Sequence, residues 1–503
     1  MPNAKSHRGS MYGYAKALAR AGHRVVFWAE STGEKSSPPD GITEHLIEVK
    51  DDTGIISDSF VHFNSSIVID MQWKEGGGPA GIVPLHFLMG LQLRELIAAK
   101  SSALDLVLKE PWDLFIIDSL FTNAGPVLSM VGKNIDVPKI LFQTSMVLPF
   151  QAYLRSAGKH TLLNTPKYPT QLEQRRLSES FWYRWKIFLE NLEDFFLALP
   201  LTAAAIDYSA YVYTASISQA WGWYSRYIRS VQMDLVEFPQ RLGETSSTSA
   251  REIDTGSECH VMKGKPLPED WERFVNASDS KGTILVAFGT IAKWHTAPAQ
   301  TLRAFADGLA LLTEFRIIWQ YAGAPLSLPP HIRTSAWIPQ VDILGHPKTL
   351  AFVSHGGLKS HKESICMGVP LLLIPLFGDQ PHNALRTQAL GYGLALDKIR
   401  IKPAKVATLI RQIADNPNFR STVVRIRDEM LDRPVGAVNE AVFWTEHLLR
   451  HHGQGLAKWT QHKGRNLMWF QYLCLDVICF ALFSASLCVL VAFKAVKRLR
   501  FCV

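Results

Sequence analysis

Cysteine is scarce in this sequence, and the cysteines present form no metal-binding or disulfide framework. Six Cys occur in 503 residues, without a CxxC motif or a Cys/His cluster. Four of them lie in the apolar C-terminal segment and the tail behind it, which leaves only Cys259 and Cys366 for the body of the protein. At most one disulfide is therefore possible there. The spacing excludes a small disulfide scaffold and gives no support for a zinc site.

Charge is also sparse. Charged residues make up 19% of the chain and hydrophobic residues 47%, and the net charge of +8 is spread along the length. Soluble proteins have about 25% charged residues, so this composition is typical of a folded, rather apolar chain. No long Lys/Arg block stands beside stacking aromatics, which argues against nucleic-acid binding. Internal repeats and low-complexity tracts are lacking as well.

The N-terminal MPNAKSHRGS lacks the apolar core of a signal peptide, whereas the C-terminal end is strongly apolar. Asp476 is the only charged residue within residues 467–493. The run VICFALFSASLCVLVAF inside it is, with its flanks, long enough to cross a bilayer as a helix. We predict a transmembrane helix over residues 467–493. The basic tail, residues 494–503, should be cytoplasmic and the body lumenal or extracellular by the positive-inside rule.

Two series of alternating helices and strands precede this segment. In the first, a helix at residues 11–21 leads into a strand at 25–28, and further strands are predicted at 114–117 and 140–142. A Ser/Thr/Gly-rich stretch at 241–260 predicts a linker. The second series has predicted helices at 299–312 and near 360–367, and predicted strands at 283–288, 317–320, 351–354 and 371–374. This alternation predicts parallel sheets whose ligands bind at the carboxyl ends of the strands.

The motif Ser354-His355-Gly356-Gly357 lies at one such strand end, before a predicted helix. Glycines there allow the backbone to approach an anion, and the helix offers free N–H groups and a positive dipole end. Lys359 and Ser360 would add a charge and a hydroxyl. Taken alone, the motif fits a structural histidine as well as it fits a phosphate site.

The residues around this motif favour a phosphate site over a structural histidine. The block WIPQVDILGHPKTLAFVSHGGLKSHKESICMGVPLLLIPLFGDQPHNA resembles the signature of the UDP-glycosyltransferase family, which includes the animal UDP-glucuronosyltransferases. The resemblance extends over about residues 5–500. It implies an α/β fold of two Rossmann-like domains facing a cleft, the GT-B type. The implied ranges are an acceptor-binding domain at 1–240, the linker at 241–260, a UDP-sugar-binding domain at 261–450, the transmembrane helix and the tail.

The resemblance also implies roles at the donor site. Trp337 matches the residue that stacks on uracil in the family. The side chain suits this role, because a flat apolar face packs well on a flat base. A carboxylate and an amide can together accept from and donate to a sugar, as Asp379 and Gln380 would. Lys359 stands where vertebrate members often have Asn. The remaining implied contacts are Gln340 and Glu363 to the nucleoside, and Thr290, His355, Gly357 and Ser360 to the diphosphate.

For the acceptor side, the resemblance implies a general base and a carboxylate that orients it. His7 stands sixteen residues before His23 of a Gly-His pair, the spacing of the catalytic His in the family. Asp118, at the end of the predicted strand that follows Trp112, matches the catalytic Asp. A carboxylate on the far ring nitrogen fixes the tautomer of a His and stabilises the imidazolium.

The implied reaction is inverting transfer of a hexose or hexuronate from UDP-glucuronate or UDP-glucose to a hydroxyl of a small lipophilic acceptor. It is expected to need no metal and no cofactor beyond the UDP-sugar. The protein would be a single-pass type I membrane protein of the endoplasmic reticulum, with its body in the lumen and with a possible homo- or hetero-oligomeric state. N-glycosylation sequons at Asn64 and Asn276 fit passage through the secretory pathway.

The start of the chain raises an alternative. In this fold the catalytic His follows the first strand of the acceptor domain, and only MPNAK precedes Ser6. We therefore expect that first strand and a signal peptide to be missing from the sequence. The first hypothesis is an enzyme whose true N-terminus is not included. The second is a non-catalytic, UDP-sugar-binding membrane protein or truncated isoform that partners full-length relatives.

Overall fold

The computed structural model describes the chain in segments, with the donor half almost continuous. The described residues are 5–31, 40–48, 72–73, 90, 93–94, 97, 102–120, 122–144, 181–182, 185, 189, 199–239, 242, 251–259, 264–289, 292–453, 471 and 475–500. Within them, the side chains of residues 5–7, 30–31, 46–48, 102–103, 199 and 495–500 lie outside the description.

Among its described residues, the N-terminal half contains two parallel sheets. The first pairs β1 with β2, and the second has the order β3-β4-β5-β6, with every pair parallel. All five residues of β4 are buried, as expected of a short apolar run enclosed on both faces. The strands are β1 Val25–Ser31, β2 Ile42–Glu48, β3 Phe115–Asp118, β4 Lys139–Gln143, β5 Met233–Val236 and β6 Glu252–Asp254.

Helices connect and cover these strands. The predicted first helix is present, and it begins earlier than the sequence pattern indicated. A short 3₁₀ helix, Gly132–Asp136, precedes β4. The α-helices described in this half are α1 Lys5–Arg20, α2 Ser102–Lys109, α3 Ala124–Leu128, α4 Leu199–Thr214, α5 Ile217–Ala220 and α6 Trp223–Ser230.

A cavity of about 440 Å³ separates the two N-terminal sheets. Its walls include residues 25–29 of β1 and residues 115–118 of β3, and Met11, Tyr14 and Leu18 of α1 also line it. The expectation that a strand is missing from this sheet stays a prediction.

The C-terminal half contains a six-stranded parallel sheet of order β12-β11-β10-β7-β8-β9. Strands stand at each of the four positions predicted in this half, with bounds that differ by one or two residues. The strands are β7 Thr283–Ala287, β8 Arg316–Gln320, β9 Ile332–Ser335, β10 Thr349–Ser354, β11 Leu371–Leu373 and β12 Gly393–Ala395.

Helices cover both faces of this sheet, because alternate side chains of each strand point to opposite sides. Leu285 of β7 packs in a core shared with α10 and α13, whereas Ile284 and Val286 pack in a second core with α8 and α12. The helices are α7 Glu269–Val275, α8 Ala299–Ala310, α9 Gln340–Gly345, α10 Leu358–Met367, α11 Gln380–Leu390, α12 Pro403–Asp415, α13 Pro417–Leu431 and α14 Ala437–Arg450.

Each half contributes residues to the hydrophobic core of the other half. Helix α14, which lies inside the range 261–450 predicted for the donor domain, packs on the N-terminal core with Tyr14 and Leu18. In the opposite direction, Trp73 is buried against Trp294 in the C-terminal core. Strand β6, inside the predicted linker, forms the edge of the second N-terminal sheet. The domain ranges stay a prediction, and these contacts show that the halves are joined by more than one segment.

Cys259 and Cys366 form a disulfide with their Cα atoms 5.6 Å apart. They are the pair that the sequence left available in the body of the protein. The bond ties the segment after β6 to helix α10. A sequence separation of 107 residues means that the bond restricts the unfolded chain strongly. A disulfide of this kind typically contributes about 2–4 kcal/mol. Disulfides of this kind are typical of proteins that fold in an oxidising compartment.

The predicted apolar C-terminal helix is present as α15, Leu475–Arg500. Its stretch Leu475–Lys494 has a mean hydropathy of 2.4 and no residue buried against the rest of the protein. Twenty helical residues extend about 30 Å, the thickness of a bilayer core. Residues 467–470 and 472–474 of the predicted span lie outside the described residues.

Candidate active site

The turn between β10 and α10 exposes backbone N–H groups at the carboxyl edge of the sheet. Gly356 has φ +87°, a conformation that side chains disfavour. A Cβ on Gly357 would come within 2.5 Å of His355 Nε2, so the ring closes directly over the turn. Gly357 caps α10 without a side-chain hydrogen bond to the helix N-terminus. The first N–H groups of α10 are therefore available to an anion.

His355 is neutral at this turn. Burial lowers the pKa of its imidazole to about 4, because desolvation disfavours the charged form. Its Nδ1 lies 3.4 Å from Ser354 Oγ. A neutral ring can donate one hydrogen bond to a phosphate oxygen and accept one at its other nitrogen.

Three predicted donor residues meet in one hydrogen-bonded group. Gln340 Nε2 donates to Ser360 Oγ at 3.1 Å and to Glu363 Oε2 at 2.6 Å. Gln340 begins α9, and the other two lie one turn apart on α10. Burial raises the pKa of Glu363, while its neighbours Lys359 and Gln340 lower it to a smaller extent. The group presents acceptor oxygens suited to the hydroxyls of a ribose.

Trp337 precedes this group by three residues and leaves its indole open. Its side chain is 72% exposed, an unusual state for Trp in a protein with large buried cores. The backbone carbonyl of Trp337 accepts from Ser335 Oγ at 2.6 Å, which ties down the loop after β9. The exposed ring offers a flat apolar face at the sheet edge.

Asp379 and Gln380 lie at the start of α11, against the glycine turn. Asn383 Nδ2 donates to the carbonyl of Gly356 at 2.8 Å and to Asp379 Oδ2 at 3.2 Å, so one side chain joins α11 to the turn. Gln380 is buried, and its Oε1 accepts from the N–H groups of Leu376 and Phe377. Its carbonyl therefore holds the loop, and its NH₂ is the part left to donate to a sugar.

On the acceptor side, Asp118 ends β3 and lines the cavity between the N-terminal sheets. Its Oδ1 accepts from the N–H of Leu120 at 2.8 Å, and its Oδ2 lies 3.4 Å from Thr144 Oγ1. The backbone of His7 lies in the first turn of α1, and its side chain is outside the described part of the structure. Thr290 also lies outside the described residues.

The comparisons with known proteins begin with a family model. The model described as "UDP-glucoronosyl and UDP-glucosyl transferase" matches residues 232–503, more than half of the chain. The chain belongs to the UDP-glycosyltransferase family. Membership makes the protein an enzyme of this family that uses a UDP-sugar donor, as the sequence predicted.

Relatives among characterised proteins extend the match beyond that half. UDP-glucuronosyltransferase 1A7 of Mus musculus is 27% identical over 500 residues, which cover 98% of this chain and 90% of that protein. UDP-glucuronosyltransferase 2C1 of Oryctolagus cuniculus is 35% identical over 236 residues, 47% of this chain and 46% of that protein.

Solved structures establish the fold. Os79 from O. sativa in complex with UDP has a TM-score of 0.58 at 16% identity and covers 89% of this chain and 98% of its own. The glycotransferase of kitacinnamycin has a TM-score of 0.57 at 18% identity, with coverages of 89% and 97%. At such identities the likeness concerns fold alone. The predicted GT-B fold, with two parallel-sheet Rossmann-like domains, is confirmed.

Two features of this UDP-glycosyltransferase were not predicted from its sequence. Asn383, which links Asp379 to the glycine turn, is signalled only by its place one turn after Asp379. The ammonium of Lys359 lies 2.8 Å from the position that a Cβ on Gly9 would take. Lys359 therefore reaches from the donor half to α1, two residues beyond His7. No local pattern predicts such a contact.

Proposed function

We propose that this UDP-glycosyltransferase transfers a hexose or hexuronate, with inversion, from a UDP-sugar to a hydroxyl of a small lipophilic acceptor. One observation carries the proposal: the group Gln340, Ser360 and Glu363 lies at the carboxyl edge of the sheet, beside the open glycine turn. Ligands of parallel α/β sheets bind at this edge. The mouse relative, a UDP-glucuronosyltransferase by name, supports a hexuronate donor.

The donor would lie along this edge. Uracil would stack on the open face of Trp337, with the ribose hydroxyls bonded to Gln340 and Glu363. The diphosphate would meet Thr290, His355, Gly357 and Ser360. The sugar would reach Asp379 and the amide of Gln380. Because the carbonyl of Gln380 is engaged by the loop, Asp379 would be the main acceptor for sugar hydroxyls.

The chemistry would be performed between the halves. His7 would take the proton of the acceptor hydroxyl, with Asp118 orienting the imidazole and stabilising its charged form. The acceptor oxygen would attack the anomeric carbon on the face opposite UDP. The diphosphate would leave toward the glycine turn, where N–H groups and the dipole of α10 stabilise its charge. Displacement in line produces inversion.

The setting would be the endoplasmic reticulum membrane, with α15 as a single anchor and the body in the lumen. The apolar stretch Leu475–Lys494 and the disulfide between Cys259 and Cys366 support this placement. A lipophilic acceptor partitions into the bilayer, so an anchored enzyme would meet it at raised local concentration.

Turnover tests the proposal. The full chain, in detergent or microsomes, is assayed with a phenol and radiolabelled UDP-glucuronate or UDP-glucose. We expect Asp118→Asn and His7→Ala to lower kcat by about 10²–10⁴-fold, the usual contribution of a positioned base. Asp307→Asn is the matched control, since Asp307 is exposed on α8 and does not line the cavity that contains Asp118. Full activity in both site variants would contradict these roles.

The same assay tests an alternative function, in which the chain lacks a competent acceptor half. The chain would then be a non-catalytic UDP-sugar-binding membrane protein that partners full-length relatives in a hetero-oligomer. UDP binding without transfer of either sugar would support this candidate, and turnover by the purified chain would exclude it.

A further inference from the structure

We propose that Lys398 is a positioning residue for the donor sugar: it holds the loop that presents Asp379 and Gln380, and it ties that loop to the N-terminal half. The inference deepens the proposed function and rests on it. Lys398 would act through the backbone of the loop and not by touching the sugar. Its loss should therefore affect the binding of a UDP-sugar more than the binding of UDP.

Lys398 follows β12 and reaches the loop between β11 and α11. Its Nζ donates to the carbonyl of Leu376 at 2.5 Å. Burial lowers the pKa of this ammonium to about 8, while Asp397 raises it to a smaller extent. The side chain is therefore still charged at pH 7, and charged donors form stronger hydrogen bonds than neutral ones. A cation thus holds the carbonyl of Leu376 in place.

The peptide bond between Leu376 and Phe377 transmits this hold to Gln380. A peptide unit is planar and trans, so its carbonyl and its N–H point in opposite directions. Lys398 binds the carbonyl of this unit, and the N–H of Phe377 donates to Gln380 Oε1 at 3.1 Å. The N–H of Leu376 donates to the same oxygen at 2.8 Å. The direction of the Gln380 amide therefore depends on a peptide unit that Lys398 fixes.

The same ammonium binds a residue of the N-terminal half. Nζ of Lys398 donates to the carbonyl of Gln72 at 2.8 Å, across 326 positions of sequence. Two carbonyls cannot hydrogen-bond to each other, whereas a lysine offers three donors and no acceptor. One ammonium can therefore join the carbonyls of Gln72 and Leu376, which an apolar side chain at this position would leave without this donor.

Trp73 anchors Gln72 against the donor half. Its indole is buried, its Nε1 donates to Thr296 Oγ1 at 3.2 Å, and its ring lies 5.1 Å from that of Trp294. These contacts do not involve Lys398. They give the carbonyl of Gln72 a fixed place beside the ammonium, so the sugar loop is held from both halves of the molecule.

Comparing UDP with UDP-sugars separates this role from a general one, because UDP lacks the hexose. Lys398→Met keeps the apolar stem and removes the donor. Calorimetry on the full chain should show UDP-glucuronate or UDP-glucose binding weakened by about 3- to 10-fold, as expected for loss of one hydrogen bond to the sugar. UDP should bind as it does to the wild type. In the transfer assay, kcat/KM for the UDP-sugar should fall by about 10- to 100-fold, since a misplaced sugar also reacts more slowly.

Lys398→Arg keeps a charged donor and should retain most of the UDP-sugar affinity. Lys405→Met is the matched control, because Lys405 is an exposed lysine in the first turn of α12. It should leave the affinities for UDP and the UDP-sugars unchanged. Thermal unfolding establishes that each variant is folded. If Lys398→Met does not fold, Lys398→Gln keeps a neutral donor and should show the same selective loss at smaller size.

A second variant addresses the connection to the N-terminal half. Trp73→Phe keeps an aromatic ring and removes the hydrogen bond to Thr296, which loosens Gln72. It should weaken UDP-sugar binding in the wild-type background and have much less effect in Lys398→Met, because Gln72 acts through the ammonium. Equal effects in both backgrounds would contradict this connection.

The failure of this inference can be told from the failure of the proposed function. Equal weakening of UDP and UDP-sugar in Lys398→Met, or no change of either in the folded variant, would overturn this inference alone. A wild-type chain that binds UDP-sugars without transferring them would overturn the proposed transfer, and the two affinities would still decide the role of Lys398. A wild-type chain that binds neither UDP nor a UDP-sugar would overturn both.

Discussion

Trp337 leaves its ring uncovered at the sheet edge, and base stacking is the role proposed for it. Stacking of a base on an aromatic side chain contributes about 1–3 kcal/mol, so we expect Trp337→Ala to weaken UDP binding by about 10- to 100-fold. Trp221, 79% exposed after α5, offers a control of equal character in the other half. Trp221→Ala should leave the affinity unchanged, and calorimetry measures both. Equal UDP affinity in the two variants would contradict the stacking of uracil on Trp337.

His361 gives a pH prediction, since it is buried beside the donor site. Its Nε2 lies 2.6 Å from Tyr392 Oη and 3.2 Å from Thr387 Oγ1. Burial lowers its pKa to about 4, with a smaller effect of His382. The unfolded chain therefore binds more protons between pH 6.5 and 4, and the free energy of unfolding falls as the pH decreases through that window.

The measurement is chemical unfolding of the detergent-solubilised chain at pH 7 and pH 5. Between these pH values, the free energy of unfolding of the wild type should fall by about 1–2 kcal/mol more than that of His361→Asn. The variant has no imidazole at this position to become charged. His452→Asn, at an exposed position after α14, should behave as the wild type. An identical pH dependence in His361→Asn would show that this imidazole does not stay neutral in the fold.

At the scale of elements, α1 and α14 are joined by a buried hydrogen bond. Thr445 Oγ1 donates to the carbonyl of Ala441, so it accepts from the hydroxyl of Tyr14, 2.5 Å away. Burial raises the pKa of Tyr14 well above its ordinary value, which keeps the hydroxyl protonated. The bond connects residues 431 positions apart and fixes α14 on the N-terminal core.

A double-mutant cycle measures this bond. Tyr14→Phe or Thr445→Val should each destabilise the fold by about 1–3 kcal/mol, because one buried polar partner is removed. The double variant should be destabilised by less than the sum of the two single variants, since neither partner remains unsatisfied. Tyr211→Phe, at an exposed tyrosine of α4, should be neutral. Strict additivity in denaturant unfolding would contradict a direct bond.

At the scale of the whole molecule, the proposed topology depends on the apolar stretch of α15 and on the basic residues at its C-terminal end. Asn276, at the C-terminal end of α7, is exposed on the donor half. If the body is lumenal, this sequon is accessible to glycosylation. Expression in cells should give a band that shifts on endoglycosidase treatment, and Asn276→Gln combined with Asn64→Gln should abolish the shift. An unshifted wild-type band in membranes would contradict a lumenal body.

Much of the donor site could be predicted because its signals are local. The apolar runs of β7 and β10, the glycines after Ser354 and the spacing from Trp337 to Gln380 are properties of short segments. Strand positions, turn conformation and helix dipoles follow from such segments directly. The hydrogen-bonded group of Gln340 and Glu363 was anticipated as separate ligand contacts, not as a group whose members already bind each other.

Other features depend on contacts between distant segments. Nothing near Lys359 in the sequence indicates that its ammonium approaches Gly9. The engagement of Gln380 by its own loop was also missed, because whether an amide faces a ligand or the backbone depends on how the loop folds. Helix α14 was assigned to the donor domain by its order in the chain, although its apolar face completes the N-terminal core.

The sequence alone indicated the family, through the resemblance of one long block. It also indicated the α/β alternation, the apolar C-terminal helix and the edge at which a nucleotide can bind, which follow from periodicity and turn chemistry acting over a few residues. The tertiary structure decided which half α14 covers, how the loop before α11 holds Gln380, and where a cavity lies between the N-terminal sheets. Such outcomes depend on packing between segments hundreds of residues apart, where burial and charge are set by neighbours that the local sequence does not name.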